Sequence, residues 1–224
     1  MGNVLNAARQ TYDRLWREAI PHFERGAAQI DPHLTNRAGD VRRGVTLALR
    51  LESAVQEAVE LFLRQLAVSA PGQYFCRPDE LHVTVLAAIH AIIGKVLKRR
   101  RPFAISFRGI TALQGAVMIQ GFPQGGALAE IRDELRRVLR KNHLGGDIDR
   151  RYKINTAHIT VMRFGHARTD WKAFVGLLKA NRKTDFGETH VRELQLPWGD
   201  WYASAHTVRT IQEYPLADPS RTPA

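Results

Sequence analysis

One order of segments occurs twice in this chain, and that repetition limits the folds open to it more than any other feature. From Arg42 the residues read strand, helix, strand, helix, strand, and from Ala116 the same order returns. In the first pass Val45 to Leu49 is a short strand. Ser53 to Leu66 is an amphipathic helix with Val55, Ala58, Val59, Phe62 and Leu66 on one side. Leu81 to Leu86 is a β-branched strand, Ala88 to Lys98 a helix, and Phe103 to Ile110 a strand alternating Phe103, Ile105 and Phe107. In the second pass Ala116 to Gln120, Thr156 to Met162 and Val191 to Leu196 are strands. Ala127 to Arg140 and Trp171 to Leu178 are the helices between them, and Ala205 to Ile211 adds a last strand. Identity between the halves is weak, so what repeats is a pattern. The expectation is an α+β fold: duplicated β-α-β-α-β halves, bilobed and pseudo-twofold, with antiparallel-type sheets around a central groove.

The boundaries follow from where the pattern starts and stops. Residues 1–40 read as an N-terminal helical extension. Leu15, Trp16, Ala19, Ile20 and Phe23 give Thr11 to Arg25 a helical spacing, and Pro21 should kink or restart it. Loop formers dominate Gly26 to Asp40. Residues 41–216 form the main domain, with lobes of about 41–112 and 113–216, and 217–224 is a tail. The extension is expected to pack over one lobe, because Trp16, Ile20 and Phe23 would otherwise be exposed.

Composition narrows the setting. No run of about 18 apolar residues is present to span a bilayer. The segment from Met1 to Arg9 has no apolar signal core, and Cys76 is the only cysteine, so a reducing cytoplasm and a monomer are expected. The single cysteine excludes an internal disulfide and a cysteine zinc cluster. The formal charge of +11 favours polyanionic partners such as nucleic acid. The clusters Lys95 to Arg101 and Arg132 to Lys141 fall at or near helices, where solvated helix faces would explain them equally well.

The chemistry lies in the central strand of each half. These are Leu81-His82-Val83-Thr84-Val85-Leu86 and Ala157-His158-Ile159-Thr160-Val161-Met162. Side chains alternate along a strand, so His82 and Thr84 share one face, and His158 and Thr160 share another. Each strand presents an imidazole and a hydroxyl, backed by branched apolar residues suited to a core. His-x-Thr alone carries little weight, and a third case, His33-Leu34-Thr35, lies in a loop context. A lone histidine is more often structural than catalytic. The matched pair, in equivalent strands of a duplicated pattern, reverses that balance.

These residues resemble the two-histidine phosphoesterase superfamily, which includes the bacterial 2′,5′-RNA ligase-like proteins and cyclic nucleotide phosphodiesterases. Its two His-x-Thr/Ser-x motifs match His82-Val83-Thr84-Val85 and His158-Ile159-Thr160-Val161. The resemblance covers Val41 to Leu216. It implies a bilobed α+β fold with the motifs facing each other across a groove, and a substrate-binding arginine after the second motif, matching Arg163. Strict alternation sets Arg163 on the face opposite His158, so it reaches the groove only through a bulge or a strand end. Ala87-Ala88-Ile89 replaces the Phe and Gly often seen after the first motif, and the 1–40 extension is not a core feature of the family.

The resemblance implies a phosphoric diester hydrolase acting on RNA or nucleotides. Hydrolysis of 2′,3′-cyclic phosphate, with reversible 2′,5′ RNA ligation in reach, is the leading expectation. The alternatives are a hydrolase of 2′,5′-linked or cyclic oligonucleotide messengers, a non-catalytic nucleotide- or RNA-binding module, and a protein whose histidines are only structural. His82 and His158 would be the paired acid and base, in either order, with Thr84 and Thr160 donating to the non-bridging oxygens. No cofactor is implied, and no metal, since neither motif has a carboxylate-rich cluster nearby. Arg77 and Lys153 are further candidates for phosphate contact. Tyr74, Tyr152, Trp198, Trp201 and Tyr202 are candidates for base stacking, against core packing as the commoner use of such rings.

Overall fold

Branched and aromatic residues at every second position pull the strands onto a common core, and the helices cover one side of it. The computed structural model describes residues 2–34, 40, 42–87, 90–142, 153–167, 169–204 and 207–217. Along the chain these form α1 (Gly2–Glu24), β1 (Arg43–Arg50), α2 (Ser53–Ser69), β2 (Tyr74–Phe75), β3 (His82–Ala87), α3 (His90–Leu97), β4 (Phe103–Leu113) and β5 (Ala116–Pro123). Then follow α4 (Ala127–Lys141), β6 (Ile159–Arg163), α5 (Trp171–Ala180), β7 (Asp185–Val191), β8 (Glu193–Asp200) and β9 (Arg209–Pro215). The last expected strand began at Ala205. Ala205 and His206 lie outside the described residues, as do Thr35, Ala88, Ile89, Tyr152 and the tail from Asp218.

The fold is α+β, with one antiparallel sheet in the order β7-β4-β5-β6-β3-β1-β8-β9 and β2 added on β6. Counted outward from the joint between β6 and β3, the two halves mirror each other in strand number. The lobes are nevertheless not the contiguous segments 41–112 and 113–216. Strand β4 sits beside β5, on the β6 side, while β8 sits beside β1, on the β3 side. The boundary at 112/113 falls at a tight hairpin: Leu113 pairs with Ala116 across Gln114-Gly115, and a two-residue loop leaves its strands no choice but to be neighbours. Each half therefore contributes strands to the other's side of the sheet, β2 and β4 from the first and β8 and β9 from the second.

Strand β7 is absent from the sequence expectation, and Val191 to Leu196 proves to be two strands meeting at Arg192. Strand β7 lies at one edge of the sheet. Edge strands are commonly polar, which hides them from a hydrophobic pattern, and Asp185, Glu188 and His190 supply that polarity here.

Helix α1 runs on past Pro21 to Glu24 and does not restart. Proline deprives the Arg17 carbonyl of its usual partner, but Arg17 lies on the exposed face, where solvent can satisfy a helix carbonyl at little cost. The helix packs on β4, β5 and α5. Tyr12, Ala19, Ile20 and Phe23 are buried beneath it. The Phe23 ring meets Phe164 at 5.3 Å, Phe174 at 5.6 Å and Trp171 at 5.8 Å between centroids. Truncating a wholly buried phenylalanine removes its transfer energy and leaves a cavity. Phe23→Ala is expected to lower unfolding stability by about 3–5 kcal/mol. A urea midpoint unchanged from wild type would show that the helix is not part of the cooperative unit.

Candidate active site

Strands β3 and β6 are joined at one register pair, Val83 opposite Ile159. One step to either side, antiparallel geometry sets His82 opposite Thr160 and Thr84 opposite His158. Opposed Cβ atoms lie about 4.5–5.5 Å apart and diagonal ones about 7–8 Å, so the two imidazoles are diagonal neighbours across the joint. All four side chains line one cleft of about 410 Å³. Val83, Val85, Ile159 and Val161 are buried on the opposite face.

Both strands bulge at the same place. The pairing of β1 steps from Leu47 opposite Leu86 to Ala48 opposite Thr84, leaving Val85 extra. That of β5 steps from Val117 opposite Met162 to Met118 opposite Thr160, leaving Val161 extra. Two consecutive residues are buried at each bulge, Val85 with Leu86 and Val161 with Met162. The bulge resets the alternation. Arg163 thereby returns to the face of His158 and Thr160 and lines the cleft. Among the described residues its guanidinium has no hydrogen-bond or ion-pair partner, which leaves all its donors for a ligand.

The rings are held from behind. His82 Nδ1 lies 2.7 Å from the Glu80 carbonyl oxygen. A carbonyl only accepts, so Nδ1 carries the hydrogen and Nε2 faces the cleft. His158 Nδ1 lies 2.8 Å from the Thr156 hydroxyl. Burial lowers the His82 pKa, as do the charges of Arg50 and Arg163, and the Glu80 carbonyl opposes the shift. His158 is lowered to about 4, first by burial and then by Arg132, His82 and Arg163. Arg50, also in the lining, is fixed by bonds from Nη1 to the Asp79 carbonyl (2.6 Å) and from Nε to Gln195 (3.3 Å).

Arg132, on α4, ties the two motifs together. It is 3% exposed. Its Nε donates to the Val85 carbonyl at 2.9 Å, and Nη2 donates to the carbonyls of Thr84 at 2.7 Å and Thr156 at 2.9 Å. One guanidinium thus spans the first motif and the approach to the second. Arg136, one turn later and 5% exposed, donates to the Ile154 carbonyl at 2.8 Å. Solvation of this basic cluster, a sufficient account from sequence, fails for these two. The signal was present: Leu128, Arg132 and Arg136 are spaced by four and lie on the stripe of Ile131, Leu135 and Leu139.

The far wall of the cleft is aromatic. Tyr74, Trp201 and Tyr202 line it with Arg42. Arg42 is bonded to Asp40 at 2.7 Å and to the Tyr202 hydroxyl at 3.2 Å, and it lies over the Trp201 ring at 5.3 Å. The Tyr202 hydroxyl donates to Asp31 at 2.9 Å, and that of Tyr74 to Glu80 at 2.8 Å. Trp201 keeps 44% of its surface exposed. Of the remaining sequence candidates, Arg77 is an exposed partner of Asp79, and Lys153 and Trp198 are exposed outside the cleft lining. Tyr152 lies outside the described residues. Among the described residues no group of three or more His, Cys, Asp or Glu is placed to hold a metal, and no helix is long and apolar enough to cross a membrane.

No protein-family model matches the sequence, and no curated protein does. Solved structures do match the fold. TT0787 of Thermus thermophilus aligns over 80% of this chain and all of its own, with 17% identity and a TM-score of 0.56. E. coli LigT in its apo form aligns over 79% of this chain and 99% of its own, with 15% identity and a TM-score of 0.54. LigT complexed with 3′-AMP aligns over the same shares, with 16% identity and a TM-score of 0.51. The chain has the LigT-like fold.

Proposed function

We propose that this LigT-like fold is a metal-independent phosphodiesterase in which His82 and His158 open a nucleotide phosphodiester, with 2′,3′-cyclic phosphate as the favoured substrate. One observation carries the reading: both histidines, both threonines and Arg163 meet on one face, at the register pair that joins two equivalent strands. The similarly folded LigT has been crystallised with 3′-AMP, a nucleoside with its phosphate on one of the two ribose oxygens that a 2′,3′-cyclic phosphate bridges.

The surroundings of the two rings divide the roles. His158, held down to about 4 by burial and by Arg132 nearby, is the base, and its Nε2 takes the proton of the attacking water. His82, whose Nδ1–H is held by the Glu80 carbonyl, supports the cationic ring better and is the acid. As the new P–O bond forms, the P–O bond to one ribose oxygen breaks, and that oxygen takes the proton from His82 Nε2. A ribose monophosphate leaves, and the two rings exchange protons with solvent to reset. Thr84, Thr160 and Arg163 hold the charge on the non-bridging oxygens. Trp201, braced by Arg42, offers a face to the base.

The test is turnover of 2′,3′-cyclic nucleotides and of RNA ending in a cyclic phosphate, with chelator present and the product isomer identified. Chelator-resistant hydrolysis is expected. Binding of RNA without turnover of any of these substrates would overturn the reading in favour of a binding module.

The same assignment fixes a pH dependence. Activity of the free enzyme needs His158 neutral, which holds above about 4, and His82 protonated, which holds below a pKa that lies under its ordinary 6.5. The profile of kcat/KM is therefore expected to be a bell centred on the acid side of 6.5. A maximum above about pH 7 would contradict the lowered pKa of both histidines.

A further inference from the structure

We propose that the outer sides of α3 and α4 form a docking track for an RNA strand, which holds the chain behind the nucleotide seated in the cleft. The track rests on the phosphodiesterase reading for the fate of the bound end, and its test reads binding by itself.

Charge on this surface is one-sided. Helices α3 and α4 pack against each other. Glu130, Asp133, Arg137, Arg140 and Lys141 are exposed at spacings of three and four, so they share the outer face of α4, away from the buried stripe of Leu128, Ile131, Leu135 and Leu139. The acids of α4 are already paired: Glu130 with Arg100 at 3.0 Å, Asp133 with Arg136 at 3.1 Å, and Glu134 with Arg137 at 2.6 Å. Cations are left over. Lys95, Lys98, Arg99, Arg101, Arg140 and Lys141 are all exposed, and among the described residues none has a hydrogen-bond or ion-pair partner for its side chain. A face that needed only solvation would intersperse the two signs, because like charges at neighbouring positions destabilise each other. A helix C-terminus gains from cations in its last turn, which accounts for Arg140 and Lys141. It does not account for Arg99 and Arg101, which lie beyond the end of α3.

The surface leads to the cleft. Arg100 meets Glu130, which sets the end of α3 beside the first turn of α4. Further along α4, Arg136 donates to the Ile154 carbonyl, and Ile154 lines the cleft. Arg140 is one turn beyond Arg136, and the exposed Lys153 adjoins Ile154. Cations therefore run from the cleft edge along α4 to the end of α3. The helical rise from Glu130 to Lys141 is about 16 Å, enough for more than one phosphate of an extended strand. Such a strand carries a negative charge at every nucleotide, and unpaired Lys and Arg hold its phosphates without reading sequence. Continuity with the cleft favours RNA over an anionic lipid surface, which needs no path to the active site.

The test is binding of a fluorescent single-stranded RNA of about 12 nucleotides ending in a 3′-phosphate, followed by anisotropy across salt concentrations. Wild type is compared with the fourfold variant Arg99→Gln, Arg101→Gln, Arg140→Gln, Lys141→Gln. A charge-conserving set, Arg99→Lys, Arg101→Lys, Arg140→Lys, Lys141→Arg, is the second variant, and urea midpoints report that both are folded. Each lost phosphate contact makes log K against log salt shallower by about 0.7. The glutamine variant is expected to lose about 2–3 from that slope and to bind about 10–100-fold more weakly at low salt. The charge-conserving variant is expected to keep the wild-type slope. Turnover of 2′,3′-cyclic mononucleotides, which do not reach this surface, is expected to stay at the wild-type rate in both. A glutamine variant with wild-type RNA affinity and slope overturns the proposal, even if it loses affinity for vesicles of anionic phospholipid. So does a charge-conserving variant that loses as much as the glutamine one. If wild type turns over no cyclic phosphate, the phosphodiesterase reading fails alone, and the RNA-binding result still decides the track.

Discussion

His82→Ala and His158→Ala are each expected to lower kcat for cyclic phosphate hydrolysis by about 10²–10⁴-fold while the protein stays folded. Both rings line an open cleft, and the strands that carry them are anchored by the buried valine and isoleucine on their other faces. Alanine at either position therefore removes chemistry with little core. The two losses should not add: once the base is gone, an acid with no attacking water to serve contributes little, so the double variant should resemble the worse single one. Circular dichroism and the urea midpoint report the fold, and single-turnover kinetics under chelator report the chemistry. Full activity in either variant would remove that histidine from the mechanism, and would leave the diagonal pair without the role proposed for it.

How far the site could be read from the sequence depends on which interactions are local. A strand's alternation is local, so the shared face of His82 with Thr84, and of His158 with Thr160, follows from spacing alone. The bulges at Val85 and Val161 are not local. Each arises from the register of a neighbouring strand, and only that register brings Arg163 round to the cleft. Strand exchange between the halves is likewise a property of the β4–β5 hairpin, whose two-residue loop was legible as a break but not as a neighbour relation. Arg132 was legible as a charge and not as a buried donor. Its stripe on α4 gave the hint, yet nothing in the sequence says that three carbonyls wait beneath it. Tyr12, whose hydroxyl hydrogen-bonds Gly121 and Ala157 beside the second motif, was hidden furthest, because those partners are 109 and 145 residues away. The extension also supplies Asp31 and Asp40 to the aromatic wall through Tyr202 and Arg42. It is built into the site at several points, although the duplicated pattern begins after it.

Arg132→Met should be among the most destabilising single changes in the main domain. Methionine fills much of the arginine's volume, so the cost is mainly polar: the carbonyls of Thr84, Val85 and Thr156 lose their donor in a buried setting. Each orphaned acceptor costs about 1–3 kcal/mol, and relief from burying a guanidinium offsets part of the sum, for a net loss of about 3 kcal/mol or more. Arg132→Lys keeps the charge but not the fork. An ammonium acts as a point donor and cannot span carbonyls on two strands as a planar guanidinium does, so most of the loss should persist. Urea midpoints separate the outcomes, and a methionine variant as stable as wild type would mean that the three carbonyls find other donors. The same substitution has a second signature at the site. Arg132 is a cation that holds the His158 pKa down, so its removal should raise that pKa from about 4, while lysine should raise it less. In kcat/KM the acid limb of the bell then moves to higher pH for Arg132→Met and stays nearer wild type for Arg132→Lys. Because one guanidinium both joins the motif strands and adds to the lowering of the His158 pKa, stability and the pH profile are expected to change together, which no purely structural clamp would require.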